Sequence, residues 1–254
     1  MFRFIISFLT LITVLSCNKN TKVIIIGHRG AMGHIAENTI PSIKKAMELG
    51  VDAIEIDVFK CKTGELVVFH DEKLDRLTNA SGFIESLELD SIKKITVLDQ
   101  YRIPTLEEVL ILIDGQVKLN IELKGQGTAS PTNDIINQYI NKGGWTNDKF
   151  IISSFKWDEL EKFRSINKTA LIAILTEFDP IEAIPIAKKL DALAINPNYK
   201  SLNEDNINEI HANGFKILSY FSFILSNNFR SFFFCFFFFF FIFFIFFIFF
   251  IFFF

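Results

Sequence analysis

Between residues 28 and 124 the chain collects His28, Arg29, Glu37, Glu55, Asp57, His70, Glu122 and Lys124 among runs of Ile and Val. Glu55 and Asp57 are two apart, as are Glu122 and Lys124, and on an extended strand residues i and i+2 face the same side. Three carboxylates without a thiolate are hard oxygen donors, suited to Mg²⁺ or Ca²⁺ rather than zinc. Buried together without a cation, they would raise one another's pKa. A divalent ion relieves that repulsion and offers Lewis-acid stabilisation of a phosphoryl oxygen. Two histidines beside such an ion suit base and acid roles near neutral pH. The bidentate fork of Arg29 suits a phosphate oxygen. Taken singly these signals are weak, since a lone strand-end histidine is more often structural and Lys124 is equally suited to pairing with Glu122. Their coincidence on one face gives them weight. His34 and His211 read as surface residues.

The elements needed to position these groups follow from hydrophobic pattern. Short apolar runs predict strands at 23–27, 52–58, 65–69, 117–123, 149–154, 170–175, 191–195 and 215–219. Helical periods fall at 39–49, 105–113, 131–142, 157–166, 180–189 and 203–212, several opened by Thr, Ser or Asp or by a first-turn Pro. Alternating strand and helix imply a parallel sheet with helices outside it, and eight strands suggest a (β/α)8 barrel with its eighth helix missing. The charged groups then lie at the carboxyl ends of the strands, the mouth where such barrels carry their active sites. Strands two and three are joined only by the short turn KCKTGE, and 71–104 forms a long connection of the kind that serves as a lid or functional loop.

Composition narrows the partners. The 254 residues carry a net charge of −3 with no basic cluster, which argues against a nucleic-acid partner and for a small substrate. Cys17, Cys61 and Cys235 cannot all pair within one chain and match no zinc spacing.

Both ends stand apart. Residues 1–17 have the layout of a signal peptide, Arg3 followed by an apolar run of about a dozen residues. Val14-Leu15-Ser16-Cys17 is similar to a lipobox, with 18–22 as a polar tether, so a lipid-anchored, extracytoplasmic protein is expected, a cleaved secretory signal or an uncleaved anchor helix being the alternatives. Within the tail 221–254, residues 232–254 contain 18 Phe, 4 Ile and 1 Cys. That is the alphabet of a thymine-rich tract read as protein, and it is expected to be an artefact without evolved function rather than a membrane span.

HRG at 28–30, ENT at 37–39, EIDV at 55–58, HD at 70–71, IPTLEEVL at 103–110 and IELK at 121–124 resemble, in order and spacing, the glycerophosphodiester phosphodiesterases. Weaker matches are Leu74, Arg76, Thr78 and Gly82, and the likeness covers residues 23–220. It implies a TIM barrel that hydrolyses glycerophosphodiesters, such as glycerophosphocholine, to glycerol 3-phosphate and an alcohol. By matching position, His28 and His70 would be the acid/base pair, Glu55, Asp57 and Glu122 the metal ligands, Arg29 a phosphate contact and Lys124 a second one. Glu37 would touch the metal or orient His28. The resemblance also implies a neighbouring glycerol hydroxyl as internal nucleophile, with direct attack by water as the alternative. The sequence departs from the family where KILSYFSF runs into the Phe tract, which puts barrel closure in question. The rival readings are a phosphodiesterase acting on intact lipids and an inactive truncated product.

Overall fold

Residues 24–219 are described by a computed structural model of the chain; the expected leader, tether and Phe-rich tail lie outside them. Seven strands form one parallel path: β1 (Ile26–Gly27), β2 (Ala53–Lys60), β6 (Lys118–Leu123), β7 (Phe150–Ser154), β8 (Leu171–Thr176), β9 (Ala194–Pro197) and β10 (Lys216–Ile217). β3 (Leu66–Val68) hangs off β2, and β4 (Thr96–Val97) pairs with β5 (Tyr101–Arg102) in a separate ribbon. Helices return between the parallel strands: α1 (Ile40–Glu48), α3 (Leu106–Ile113), α4 (Ala129–Lys142), α5 (Trp157–Ile166), α6 (Ile184–Lys189) and α7 (Glu204–Ala212), while the short α2 (Leu89–Ile92) lies in the 71–104 connection. This is a TIM-type barrel, curled but open among the described residues, where no ladder joins β10 to β1.

Strand parity separates two environments. Ile56, Ile121, Ile152, Ile174 and Ile195 belong to the core shared with the helices, including Leu110, Ile136 and Leu160. Parallel register puts Asp57, Glu122, Ser153, Ala173 and Ala194 in one row on the opposite, interior face, where Ile151, Ala173 and Ala194 form their own small cluster. Helix starts use local chemistry. Thr39 caps α1 by accepting from Ser42 N, and Thr105 with Glu108 closes a capping box on α3.

The barrel expectation holds, but its count changes. The predicted strand 65–69 is not a barrel stave: Leu66–Val68 runs antiparallel to β2 through pairs Val58 with Val68 and Lys60 with Leu66. The reason is the short turn, which with Gly64 at φ 107 allows only a hairpin return. The strand expected as eighth is therefore the seventh parallel one, and an eight-stranded barrel needs one more stave beyond it. The 71–104 connection is packed. It folds with β3 around Phe59, Phe69, Leu74, Ile84, Ile92 and Ile103, all buried.

Candidate active site

The loop after β1 is shaped by two left-handed residues, Arg29 at φ 50 and Gly30 at φ 82. A Cβ at Gly30 would lie 2.6 Å from Ser42 Oγ, so glycine is required for the loop to sit on α1. The turn lets Arg29 N donate to Glu55 Oε2 at 2.8 Å while its Nη1 donates to Glu37 Oε1 at 2.8 Å. Its Nε lies 3.6 Å from Asp57 Oδ2, and His28 Nε2 stands 3.8 Å from Glu55 Oε2.

Glu55 and Asp57 on β2 meet Glu122 on β6, because the register pairs Asp57 with Glu122. One carboxylate oxygen from each lies within 4.8 Å of the others, and all three residues are buried. Glu55 Oε1 and Asp57 Oδ1 have no hydrogen-bond partner. Burial, then the Asp57 and Glu122 charges, hold Glu55 well above the usual carboxylate range. Burial and the Asp57 charge, opposed by Lys124, push Glu122 up to about 7. Buried acceptors without donors and mutually repelling carboxylates fit a hard divalent cation, and these three residues would hold it.

His70 reaches the same place by a different route. The hairpin carries the chain back along β2, Phe69 N donates to Asp57 O at 3.0 Å, and His70 lands beside the acids. His70 Nε2 is 3.2 Å from Lys124 Nζ, and Nδ1 is 2.5 Å from Asp71 Oδ1. Lys124 also stands 3.1 Å from Glu122 Oε1 and 3.8 Å from Asp57 Oδ1. Burial pulls its ammonium down, and those two carboxylates more than reverse that, leaving it above its ordinary value. Burial, followed by the Arg29 charge, lowers His28 to about 4. Burial also lowers His70, against the upward pull of Asp57 and with Lys124 and Arg29 adding to the fall.

The structure thus brings His28, Arg29, Glu55, Asp57, His70, Glu122 and Lys124 into one site. Two expectations change. His70 follows an antiparallel return rather than closing a parallel strand. Glu37 stands outside the three-carboxylate group, with its oxygens engaged by Arg29 and Arg76, while its charge acts on His28. His34 and His211 are exposed, as expected. Three participants, two inside the quoted motifs and Arg76 among the weaker matches, had no role assigned. Asn38, at φ 56, donates from Nδ2 to Asp57 Oδ2 at 2.8 Å and accepts from Asp57 N at 3.4 Å. Asp71 backs His70, and Arg76 donates to both Asp71 and Glu37.

Comparison with known proteins agrees with this geometry. The Glycerophosphoryl diester phosphodiesterase family model matches residues 28–222. A glycerophosphodiester phosphodiesterase of Caldanaerobacter subterraneus subsp. tengcongensis is 34% identical over 208 residues, covering 78% of this chain and 85% of that relative. One from Bacillus subtilis is 30% identical over 223 residues, covering 78% and 76%. Among solved structures, an Oleispira antarctica phosphodiesterase in complex with the product sn-glycerol-3-phosphate superposes with a TM-score of 0.72 at 26% identity, covering 79% of this chain and 85% of that one. The glycerophosphodiester phosphodiesterase of Thermotoga maritima shares the fold, with a TM-score of 0.65 at 24% identity over 80% and 88%. Fold and matches define a barrel-type phosphoric diester hydrolase. The chain belongs to the glycerophosphoryl diester phosphodiesterase family.

Proposed function

We propose that the protein hydrolyses glycerophosphodiesters to glycerol 3-phosphate and an alcohol, using a divalent cation, Mg²⁺ or Ca²⁺, held by Glu55, Asp57 and Glu122. The observation that carries this reading is the buried three-carboxylate group with two unclaimed oxygens, flanked by two imidazoles and two cationic side chains. When bound, the ion neutralises the carboxylates and polarises a phosphoryl oxygen. Arg29 and Lys124, each beside Asp57, would supply positive charge to the phosphate. His28, held near 4 by burial and Arg29, is neutral at pH 7 and takes the proton of the attacking hydroxyl. His70 in its imidazolium form, with Nδ1–H donated to Asp71, gives its Nε2 proton to the departing alkoxide, and the proton taken by His28 passes to solvent while His70 regains one from it. The same chemistry serves an internal glycerol hydroxyl or a water as nucleophile.

Glycerophosphocholine hydrolysis that stops with chelator, returns with Mg²⁺ or Ca²⁺, and falls roughly 10³-fold in Asp57→Asn is the expected result, because metal-borne charge stabilisation is worth several kcal/mol. Full activity in that variant removes the assigned metal site. A preference for phosphatidylinositol over glycerophosphocholine would favour the intact-lipid reading.

The division into a leader at 1–17, a tether at 18–22, a barrel at 23–220 and a tail at 221–254 belongs to the same proposal, as does an extracytoplasmic lipoprotein anchored through Cys17. No helix among the described residues is long and apolar enough to cross a membrane. Cys17→Ser should abolish labelling by a fatty-acid probe and release the protein from membranes; an unlabelled, soluble wild type would favour a cleaved secretory signal.

A further inference from the structure

Arg76 lies on the first turn of the 71–104 connection, half-exposed, and makes four hydrogen bonds to two carboxylates. Its Nε and Nη2 donate to Asp71 Oδ2 and Oδ1 at 2.5 and 3.1 Å. Its Nη2 and Nη1 also donate to Glu37 Oε1 and Oε2 at 2.7 and 3.3 Å. Each carboxylate has a second partner inside the site: Asp71 holds His70 Nδ1, and Glu37 holds Arg29 Nη1. An unbroken chain therefore runs Arg29, Glu37, Arg76, Asp71, His70, joining the phosphate arm to the acid/base arm across segments that are otherwise separate loops.

We infer that Arg76 is a positioning residue for the phosphodiesterase site, a clasp that fixes Arg29 through Glu37 and His70 through Asp71 without touching substrate itself. The inference rests on the site assignment proposed above.

Geometry and charge both require a guanidinium here. Two carboxylates on different segments are spanned by one planar fork, which an ammonium cannot match. Without Arg76, Glu37 would pair with Arg29 alone and cancel the charge meant for phosphate. Asp71 would likewise lose the fork that fixes its orientation behind His70 Nδ1. With Arg76 in place, Glu37 sits between two cations and leaves positive charge on the phosphate side, and Asp71 is held with Oδ1 on His70 Nδ1. The packed body of 71–104 anchors the clasp, since Leu74, two residues away, is fully buried.

The test uses full-length Arg76→Ala and Arg76→Lys. On glycerophosphocholine, Arg76→Ala should raise KM and lower kcat, each by about tenfold, the size expected for losing charge-assisted hydrogen bonds. Arg76→Lys should restore part of the KM effect and little of kcat. In an Asp71→Asn, Glu37→Gln background, adding Arg76→Ala should change kcat/KM by less than about twofold, since the clasp has nothing left to hold. Millimolar methylguanidine should rescue Arg76→Ala where methylamine does not. NMR titration supplies a readout independent of turnover: His70, which faces Asp71, Lys124, Asp57 and Arg29, should titrate about one pH unit higher in Arg76→Ala. Additive effects in the background variant, absence of guanidine rescue, or an unmoved His70 titration would each overturn the clasp. If Arg76→Ala fails to fold, the kcat-against-KM split and His70 titration of Arg76→Lys decide. Wild type that shows the His70 shift on mutation yet hydrolyses bis(p-nitrophenyl) phosphate and no glycerophosphodiester would overturn the substrate reading and leave the clasp standing.

Discussion

At one level of the barrel interior, β2 and β6 present Asp57 and Glu122, whereas β7, β8 and β9 present Ser153, Ala173 and Ala194. The first half is tied by polar bonds. Asn38, Arg29 and Lys124 contact its acids, and a 71–104 body with its own core holds the rim. The second half is held by the outward faces of Ile152, Ile174 and Ile195 against helices. The difference teaches that the interior chemistry is confined to one arc, while the apolar faces that pack on helices run through both, Ile56 and Ile121 included. Damage to the acid arc should therefore appear as lost turnover in a folded protein, and damage to the apolar arc as lost stability in an otherwise competent site.

The largest effect expected from this contrast is on the acid arc. His28→Ala and His70→Ala should each lower kcat by ~10² to 10⁴, the worth of general acid–base catalysis, with thermal melting close to wild type. Normal turnover in either variant would take that histidine out of the mechanism. A collapsed melting temperature would instead make it structural.

A smaller effect concerns pH. In the metal-free fold Glu122 releases its proton near 7, against an ordinary 4.5. Between those values the folded state keeps a proton that the unfolded chain gives up, so this group's contribution to stability falls as pH rises from about 4.5 to about 7. Glu122→Gln removes the penalty. In chelator, its melting temperature relative to wild type should climb across that window, by a free energy on the order of 2 kcal/mol. His28, lowered to about 4, acts with the opposite sign but cancels in the comparison of variant with wild type. A flat difference between pH 4.5 and 7 would show that Glu122 is not buried against its neighbours' charge.

The smallest effect belongs to the apolar arc. Ile174→Val, at a fully buried outward position of β8, should cost ~0.5 to 1.5 kcal/mol of stability while leaving kcat/KM per folded molecule unchanged. A comparable loss of catalytic efficiency would erase the separation between the arcs.

Much of this was legible in the sequence where the signal is local. The helices expected at 157–166 and 203–212 are Trp157–Ile166 and Glu204–Ala212, because apolar spacing and caps lie within the segment itself. Glu55, Asp57 and Glu122 were legible through strand parity, which needs only i and i+2. The direction of Leu66–Val68 was not, since an apolar β-branched run reads the same in either sense and only its turn reveals the return. Arg76 and Asn38 stayed unassigned because each has a partner remote in sequence: Glu37 lies 39 residues from Arg76, whose other partner Asp71 is 5 away, and Asp57 lies 19 from Asn38. Hydrogen bonds across such distances depend on the tertiary course of 71–104, which periodicity does not encode.

The β2–β3 hairpin has a consequence for which insertions and deletions the gene can tolerate. His70 reaches Asp57 through a return of a few residues around Gly64, with no helix between to absorb a change in length. One codon added within Lys62–Gly64 without a compensating bulge would slip the pairing by one residue, reverse which face Val67 and Val68 bury, and carry the imidazole off its station. The loops after β7, β8 and β9 bear no assigned site residue, so length variation there would be felt as packing alone. Among natural relatives, indels should be scarce in that turn and common around the opposite rim.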